Sequence, residues 1–164
     1  MNLFAPSLLD KLLVGEGDAP GRGARMRMGI EQVKESVARD IEALLNARPG
    51  VEPGRIGDFP NAARSLLTFG LTDISSLSVA SDRDRARIVE AIRRALAEHE
   101  PRLAQVDVTV GDRRDAGGGL RFTIRADLRL SPESEPVAFD AVLQPGSARY
   151  AVSRQRLQKA SGGP

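Results

Sequence analysis

Cysteine is absent from the 164-residue chain, and histidine occurs once, at His99. Without thiols the chain has no disulfide, no thiolate zinc or iron–sulfur site and no cysteine nucleophile. A metal centre or a Ser-His-Asp triad would have to be built around one imidazole, so we expect neither.

Aromatic residues are scarce at 4%, tryptophan is absent, and the net charge is only +2. Nucleic-acid-binding domains need a basic field or aromatic stacking platforms, and this composition supplies neither. The apolar residues near the N-terminus are interrupted by Pro6, Asp10 and Lys11, and no basic region precedes them. That pattern fits neither a signal peptide nor a membrane span, so we expect a cytoplasmic protein.

The composition changes twice along the chain. Residues 1–29 combine an apolar N-terminal peptide with a flexible linker rich in glycine and proline. The peptide either packs on the domain's own core or docks on a partner. The full chain has 41% apolar and 28% charged residues, which is typical of soluble folded proteins, and residues 30–155 predict one domain. Residues 156–164 predict a disordered tail.

Helical periodicity dominates the first half of the predicted domain. Residues 31–47 carry an apolar stripe at helical spacing, formed by Val33, Val37, Ile41, Leu44 and Leu45. A second long helix is predicted from about Asp82 to His99, because Ser81 is a good N-cap and Pro101 disfavours helical geometry at Glu100. Between them, residues 61–70 can form a short helix.

After Arg102 the apolar period changes from 3.6 residues to two. This alternation predicts strands at residues 104–110, 120–130 and 136–143, with a short fourth strand at 148–154. Turn residues separate them, so the pattern predicts an antiparallel meander of three to four strands with one apolar face. The helices must cover that face, which predicts an α+β fold with helices first and sheet second.

The sequence lacks residues that known enzymatic motifs require. The Gly-rich segment at 111–120 lies between two predicted strands and lacks Gly-Lys-Ser/Thr, so it predicts a hairpin loop rather than a phosphate cradle. Ser65 and Ser75 lack a nucleophile elbow and a suitably placed histidine. The sequence therefore predicts no catalytic, metal-binding or cofactor-binding residue.

A glycosidase would need two carboxylates that face a cleft, and the candidates are Glu98 or Glu100 with Asp107. At a spacing of two residues, Glu98 and Glu100 point to different sides of a helix. They are interpreted as solvated carboxylates at a helix end. His99 is interpreted as a structural residue in the last helical turn, where the helix dipole favours a cation.

Two groups of charged residues allow a functional interpretation. Arg121, Arg125 and Arg129 share the polar side of one predicted strand, with Arg154 and Arg156 further along the chain. They form either a solvated face with Asp127 as partner or a docking surface for an acidic protein.

The second group is Glu100-Pro101-Arg102, which joins the second long helix to the first strand. Either the proline breaks the helix and the charges are solvated, or the charges make directed hydrogen bonds to a partner.

Several segments in this order resemble a known family: Leu3-Phe4 with the leucines that follow, Asp40–Arg48, PNAARSLLTFGLTDIS at 60–75, Glu100-Pro101-Arg102, and the strand pair LRFTIRADL and PVAFDAVL. They are similar to the TssE family of type VI secretion baseplate subunits. That family belongs to the wedge proteins of contractile phage tails, often labelled lysozyme-like. The resemblance covers roughly residues 30–152. Phe69 stands where the family often has tyrosine, and Thr72 where proline is common.

The resemblance implies a structural subunit rather than an enzyme. In the family the Glu-Pro-Arg step contacts the core bundle of the wedge, built by TssF and TssG, and the sheet templates sheath polymerisation. We therefore expect Glu100, Pro101 and Arg102 to bind the wedge and a sheet edge within residues 136–152 to receive sheath strands. The alternatives are a peptidoglycan-cleaving muramidase, against which the lack of a signal peptide counts, and a regulatory adaptor that shares the fold.

Overall fold

The computed structural model describes residues 29–51, 55–56, 58–59, 61–62, 65–72, 77–78, 81–111, 119–130, 133–144 and 146–155. These residues form helices α1 (Ile30–Asn46) and α2 (Asp82–His99), followed by strands β1 (Leu103–Val110), β2 (Leu120–Arg129), β3 (Ser134–Leu143) and β4 (Tyr150–Arg154). The N-terminal peptide with most of its linker, Ser75, most of the predicted hairpin loop, Arg156 and the predicted tail lie outside the described residues.

Side-chain hydrogen bonds set the starts of the two helices, and a proline sets the end of α2. The Gln32 side chain accepts a hydrogen bond from the Gly29 amide at the start of α1. At the start of α2 the Ser81 hydroxyl accepts from the Asp84 amide, which satisfies one of the free N–H groups of the first turn. Helix α2 ends at His99, because Pro101 forces Glu100 out of helical geometry. Both predicted long helices are confirmed.

The four strands form one antiparallel sheet in the order β1-β2-β3-β4. Alternate residues of β2, from Leu120 to Leu128, are buried beneath the helices, while the residues between them lie on the outer face. Helix α1 packs against β3 and β4, and α2 packs against β1. The predicted α+β class, with helices first and a meander sheet second, is confirmed.

The core lies between the sheet and the two helices. Its largest fully buried side chains come from both layers: Ile41, Leu44, Ile88, Ile92, Leu96, Phe122, Ile124, Leu128 and Phe139. Burial of each such side chain contributes about 1.5–3 kcal/mol, so this layer contact is the main source of stability. Among the described residues, neither helix is long and apolar enough to cross a membrane.

The predicted short helix at 61–70 is replaced by tight turns in the described part of that segment. Ser65, Thr68 and Phe69 each donate an amide hydrogen bond to the carbonyl three residues earlier. The segment is also held from outside, because Val51 donates to the Leu67 carbonyl and Leu71 donates to the Ala47 carbonyl. These two bonds to residues just after α1 use backbone N–H and C=O groups that an α-helix would have bonded within itself.

Candidate partner-binding site

Glu100 and Arg102 of the Glu-Pro-Arg step form an ion pair with each other at the junction of α2 and β1. The Arg102 guanidinium donates to both carboxylate oxygens of Glu100, at 2.7 Å from Nε and 2.5 Å from Nη2. The Arg102 amide also donates to Glu100 Oε1 at 3.2 Å. Glu100 is only 5% exposed, whereas the Arg102 side chain is 27% exposed. The bidentate geometry is the strong form of this interaction.

Two residues of helix α1 also contact the Arg102 guanidinium. Asp40 Oδ2 accepts from Arg102 Nη2 at 2.5 Å, and the buried Ser36 hydroxyl lies 3.3 Å from Arg102 Nη1. Burial lowers the pKa of Arg102, but the hydrogen bonds and charge of Glu100, followed by those of Asp40, outweigh that effect and raise it above the ordinary value. The guanidinium therefore joins α1, the end of α2 and the start of β1; we call these four residues the junction network.

The structure thus brings Glu100 and Arg102 together but turns them largely toward the protein itself. The interpretation of solvated charges is wrong for Glu100, because its carboxylate is buried and paired. Pro101, between them, is exposed. The exposed parts of this step are therefore Pro101 and about a quarter of the Arg102 side chain.

Sequence reasoning missed the two residues that α1 contributes to the junction network. Ser36 and Asp40 are four residues apart, so they share one face of α1, beside the apolar stripe. The available signal was a serine and an aspartate one turn apart, beside the apolar stripe of the predicted helix. The partner of that pair, however, lies more than sixty residues further along the chain, which local periodicity does not reveal.

His99 fastens the end of α2 to the turns at 65–71. Its Nε2 lies 3.0 Å from the Thr68 carbonyl oxygen, so this nitrogen carries the donated proton. The Phe69 ring packs edge-on against the imidazole, with ring centroids 5.6 Å apart. These contacts give His99 a structural role at the end of α2.

Two leucines are exposed by the turns that His99 holds. Leu66 is 86% exposed and Leu67 is 51% exposed, whereas the neighbouring Thr68 is buried. Gly70 fixes the turn, since its φ is +131° and an added Cβ would lie 2.6 Å from the Ala47 carbonyl oxygen. The leucine pair is thus held in place by backbone bonds rather than by its own burial.

The arginines of β2 lie on the outer face of the sheet as predicted. Arg125 and Arg129 are exposed, and Arg121 is half-buried. Asp127 forms no ion pair with any described residue, so the expected pairing on this face is not formed there. Arg154 lies on the opposite side, where it binds Glu31 and Glu35 of α1.

The candidate glycosidase carboxylates have separate structural surroundings. Glu98 accepts a hydrogen bond from Arg94 at 2.9 Å, Glu100 is occupied by Arg102, and Asp107 lies exposed on β1.

Ser65 donates its hydroxyl to the Ala62 carbonyl. Within the described residues, no three side chains of the metal-binding types are grouped to hold an ion.

The expectation of a strand-accepting edge within residues 136–152 needs correction for most of its length. Strand β3, which covers Pro136–Leu143, is an interior strand with β2 on one side and β4 on the other. Its backbone groups are already used by these neighbours, so it cannot accept another strand. In that range only β4 is an edge strand.

The comparison with protein-family models agrees with the resemblance. A family model described as baseplate wedge protein gp25 matches residues 31–133, from α1 to the connection after β2. A crystal structure from Geobacter sulfurreducens, provisionally described as a tail lysozyme, is similar at 22% identity and a TM-score of 0.48. The similarity covers 73% of this chain and 98% of that one. The comparison with curated proteins gives no match.

Proposed function

The chain belongs to the baseplate wedge protein gp25 family, and from this we propose that it is a structural subunit of a type VI secretion baseplate. In this role it joins the wedge proteins TssF and TssG to the first ring of sheath subunits and templates sheath polymerisation. The family match across α1, α2, β1 and β2 carries the proposal, because it includes both the junction network and half of the sheet.

The wedge contact is proposed at the junction of α2 and β1. The junction network holds Pro101 in a fixed position, and β2 adds support because the Arg129 amide donates to the Arg102 carbonyl at 2.8 Å. An exposed proline that is held in place beside a partly exposed arginine side chain loses little freedom when a partner binds. Glu100 then acts by positioning Arg102, while Pro101 and Arg102 touch the wedge proteins.

The proposed role needs no catalysis. The carboxylates that a muramidase would use are paired or separated, as described above. We therefore propose that the chain does not cleave peptidoglycan and that its action is the positioning of other subunits.

Co-purification from the native cell lysate tests the wedge contact. The tagged full chain should recover TssF, TssG and sheath subunits, and Pro101→Asp should lose TssF and TssG. A matched control is Ala86→Asp. Ala86 is exposed in the first turns of α2, about 20 Å along the helix axis from its C-terminal end next to Pro101. If Pro101→Asp recovers the wedge proteins as the wild type does, the assignment of this contact is wrong. If the wild type recovers none of them, the baseplate proposal fails.

A further inference from the structure

A second arginine, outside the junction network, lies beside the Glu-Pro-Arg step. Arg129 is the last residue of β2, and its amide donates to the Arg102 carbonyl at 2.8 Å. Its side chain reaches the same step, because Nη1 donates to the Pro101 carbonyl oxygen at 3.4 Å. Arg129 and Pro101 are both exposed. The exposed proline therefore has the guanidinium of Arg129 next to it as well as that of Arg102.

The charge of Arg102 is already balanced within the protein. Its four side-chain hydrogen bonds, to Glu100, Asp40 and Ser36, use four of the five N–H groups of the guanidinium. The junction network thus holds one cation against two carboxylates. A carboxylate brought to Arg102 by a partner would be repelled by the two that are already bound there.

The charge of Arg129 is not balanced in this way. Among the residues that the structure describes, no carboxylate forms an ion pair with it. Its cross-strand neighbour on β3 is Ser134, which is exposed and uncharged. Asp127, two residues earlier on the same face of β2, does not pair with it either. Arg129 therefore supplies an unpaired positive charge on the surface beside Pro101.

The hydrogen bond to Pro101 leaves one edge of the Arg129 guanidinium open. Nη1 makes that bond, whereas Nε and Nη2 donate to no described residue. Nε and Nη2 together form an edge that can bind both oxygens of a carboxylate through two parallel bonds. The Arg129 backbone is held by β1, so the residue loses less freedom on binding than an arginine in a loop would.

We propose that Arg129 binds an acidic side chain, an aspartate or a glutamate, of the wedge protein that docks at the junction of α2 and β1; this rests on the proposed function. Arg102 then holds the junction in shape from within, and Arg129 supplies the charge that the partner recognises. The other arginines of β2 lie too far along the strand. Even Arg125, the next one on this face, is four residues away, about 13 Å at the rise of an antiparallel strand.

Binding of the full chain to a purified complex of TssF and TssG, at about 50 mM and about 300 mM salt, tests this charge recognition. At low salt Arg129→Ala should bind about tenfold more weakly than the wild type, and the difference should shrink at high salt, because salt screens the lost pair. The matched control is Arg125→Ala, an exposed arginine on the same strand and face, which should bind as the wild type does.

Two results of the binding experiment would overturn the inference. The first is equal binding of Arg129→Ala and the wild type at low salt. The second is a loss of affinity that is the same at both salt concentrations, because Arg129 would then act through its hydrogen bond to Pro101 and not through its charge.

Cross-linking tests the chemistry of the partner group. Arg129→Lys places a primary amine at this position, and a water-soluble carbodiimide joins an amine to a carboxylate that lies against it. Mass spectrometry should find an amide bond from position 129 to an aspartate or glutamate of TssF or TssG, and Arg125→Lys should form none. Cross-links from position 129 only to another copy of the chain, or none in a variant that still binds the complex, would contradict the assignment.

The stability of the variant separates a lost contact from a lost fold. Arg129 is exposed and forms no ion pair with a described residue, so Arg129→Ala should keep the melting temperature within about 3 °C of the wild type. A weaker complex then reports on the contact itself. If the wild type fails to bind TssF and TssG, the wedge-joining function fails, which is a different result from binding that does not depend on Arg129.

Discussion

Removal of the Arg102 side chain is the sharpest test of the junction network. The guanidinium bonds both oxygens of Glu100, one oxygen of Asp40 and the hydroxyl of Ser36. Arg102→Ala removes all of these at once and leaves a carboxylate that is 5% exposed without its cation. The structure therefore predicts a loss of stability much larger than that for an ordinary surface ion pair.

The size of this stability loss follows from the burial of Glu100 and Arg102. Breaking a buried ion pair by removing one member costs about 3–5 kcal/mol, because the remaining charge stays desolvated. Arg102 is partly exposed, so water enters the vacated space and the lower end, about 3 kcal/mol, applies. A loss of this size lowers the melting temperature of a chain of this length by roughly 10 °C.

Urea unfolding followed by circular dichroism measures this loss, since the chain has no tryptophan. The matched control is Arg93→Ala on the exposed face of α2, where the ion pair with Glu90 is screened by solvent and contributes little to stability. In a Glu100→Gln background, Arg102→Ala should cost clearly less, because no buried charge is left behind. A loss below about 1 kcal/mol for Arg102→Ala is the value of a solvated pair, and it would show that Glu100 does not depend on Arg102 for its burial.

Three further predictions follow from other parts of the fold. Tyr150→Phe should raise stability by about 1 kcal/mol, because the buried hydroxyl has no hydrogen-bond partner among the described residues. Burial raises the pKa of the Tyr150 phenol above its ordinary value of 10.0. The unfolded chain therefore ionises first, and the wild type should lose about 1.4 kcal/mol relative to Tyr150→Phe between pH 9 and pH 11, measured by urea unfolding; an equal pH dependence of the two would contradict the burial. Gly70→Ala should cost about 2–3 kcal/mol, because the added Cβ meets the Ala47 backbone, whereas Gly146→Ala, with positive φ but open space, should cost about 1 kcal/mol in the same assay; similar losses would exclude the clash. Finally, a turbidity assay on purified cell walls should show no lysis, and lysis that disappears in Glu100→Gln with the fold intact would favour the muramidase.

The sequence predicted those parts of the fold that depend on neighbouring residues. Ser81 and Pro101 set the ends of α2, and the change from helical to alternating spacing after Arg102 located the sheet. The burial of alternate residues from Leu120 to Leu128 follows the pattern directly. These features depend on local geometry and on one apolar face, which a single sequence displays.

The parts that were not predicted all depend on distant segments. Asp40 meets Arg102, and Asn46 meets Tyr150, only because α1 packs across the end of the sheet. The bulge at Gln105 lies within an uninterrupted alternating pattern, so nothing local indicates it. For this reason the Glu-Pro-Arg step was predicted as a partner contact from the sequence and the resemblance, whereas its bonds to Ser36 and Asp40 of α1 required the structure.

We propose that this chain starts the sheath on the wedge, and reconstitution of the assembly from purified subunits tests that role. Purified TssF, TssG and sheath subunits would be mixed with and without the full chain, and sheath tubes attached to wedge complexes would be counted by electron microscopy. We predict attached tubes only when the chain is present. Equal numbers of attached tubes without the chain would contradict the account.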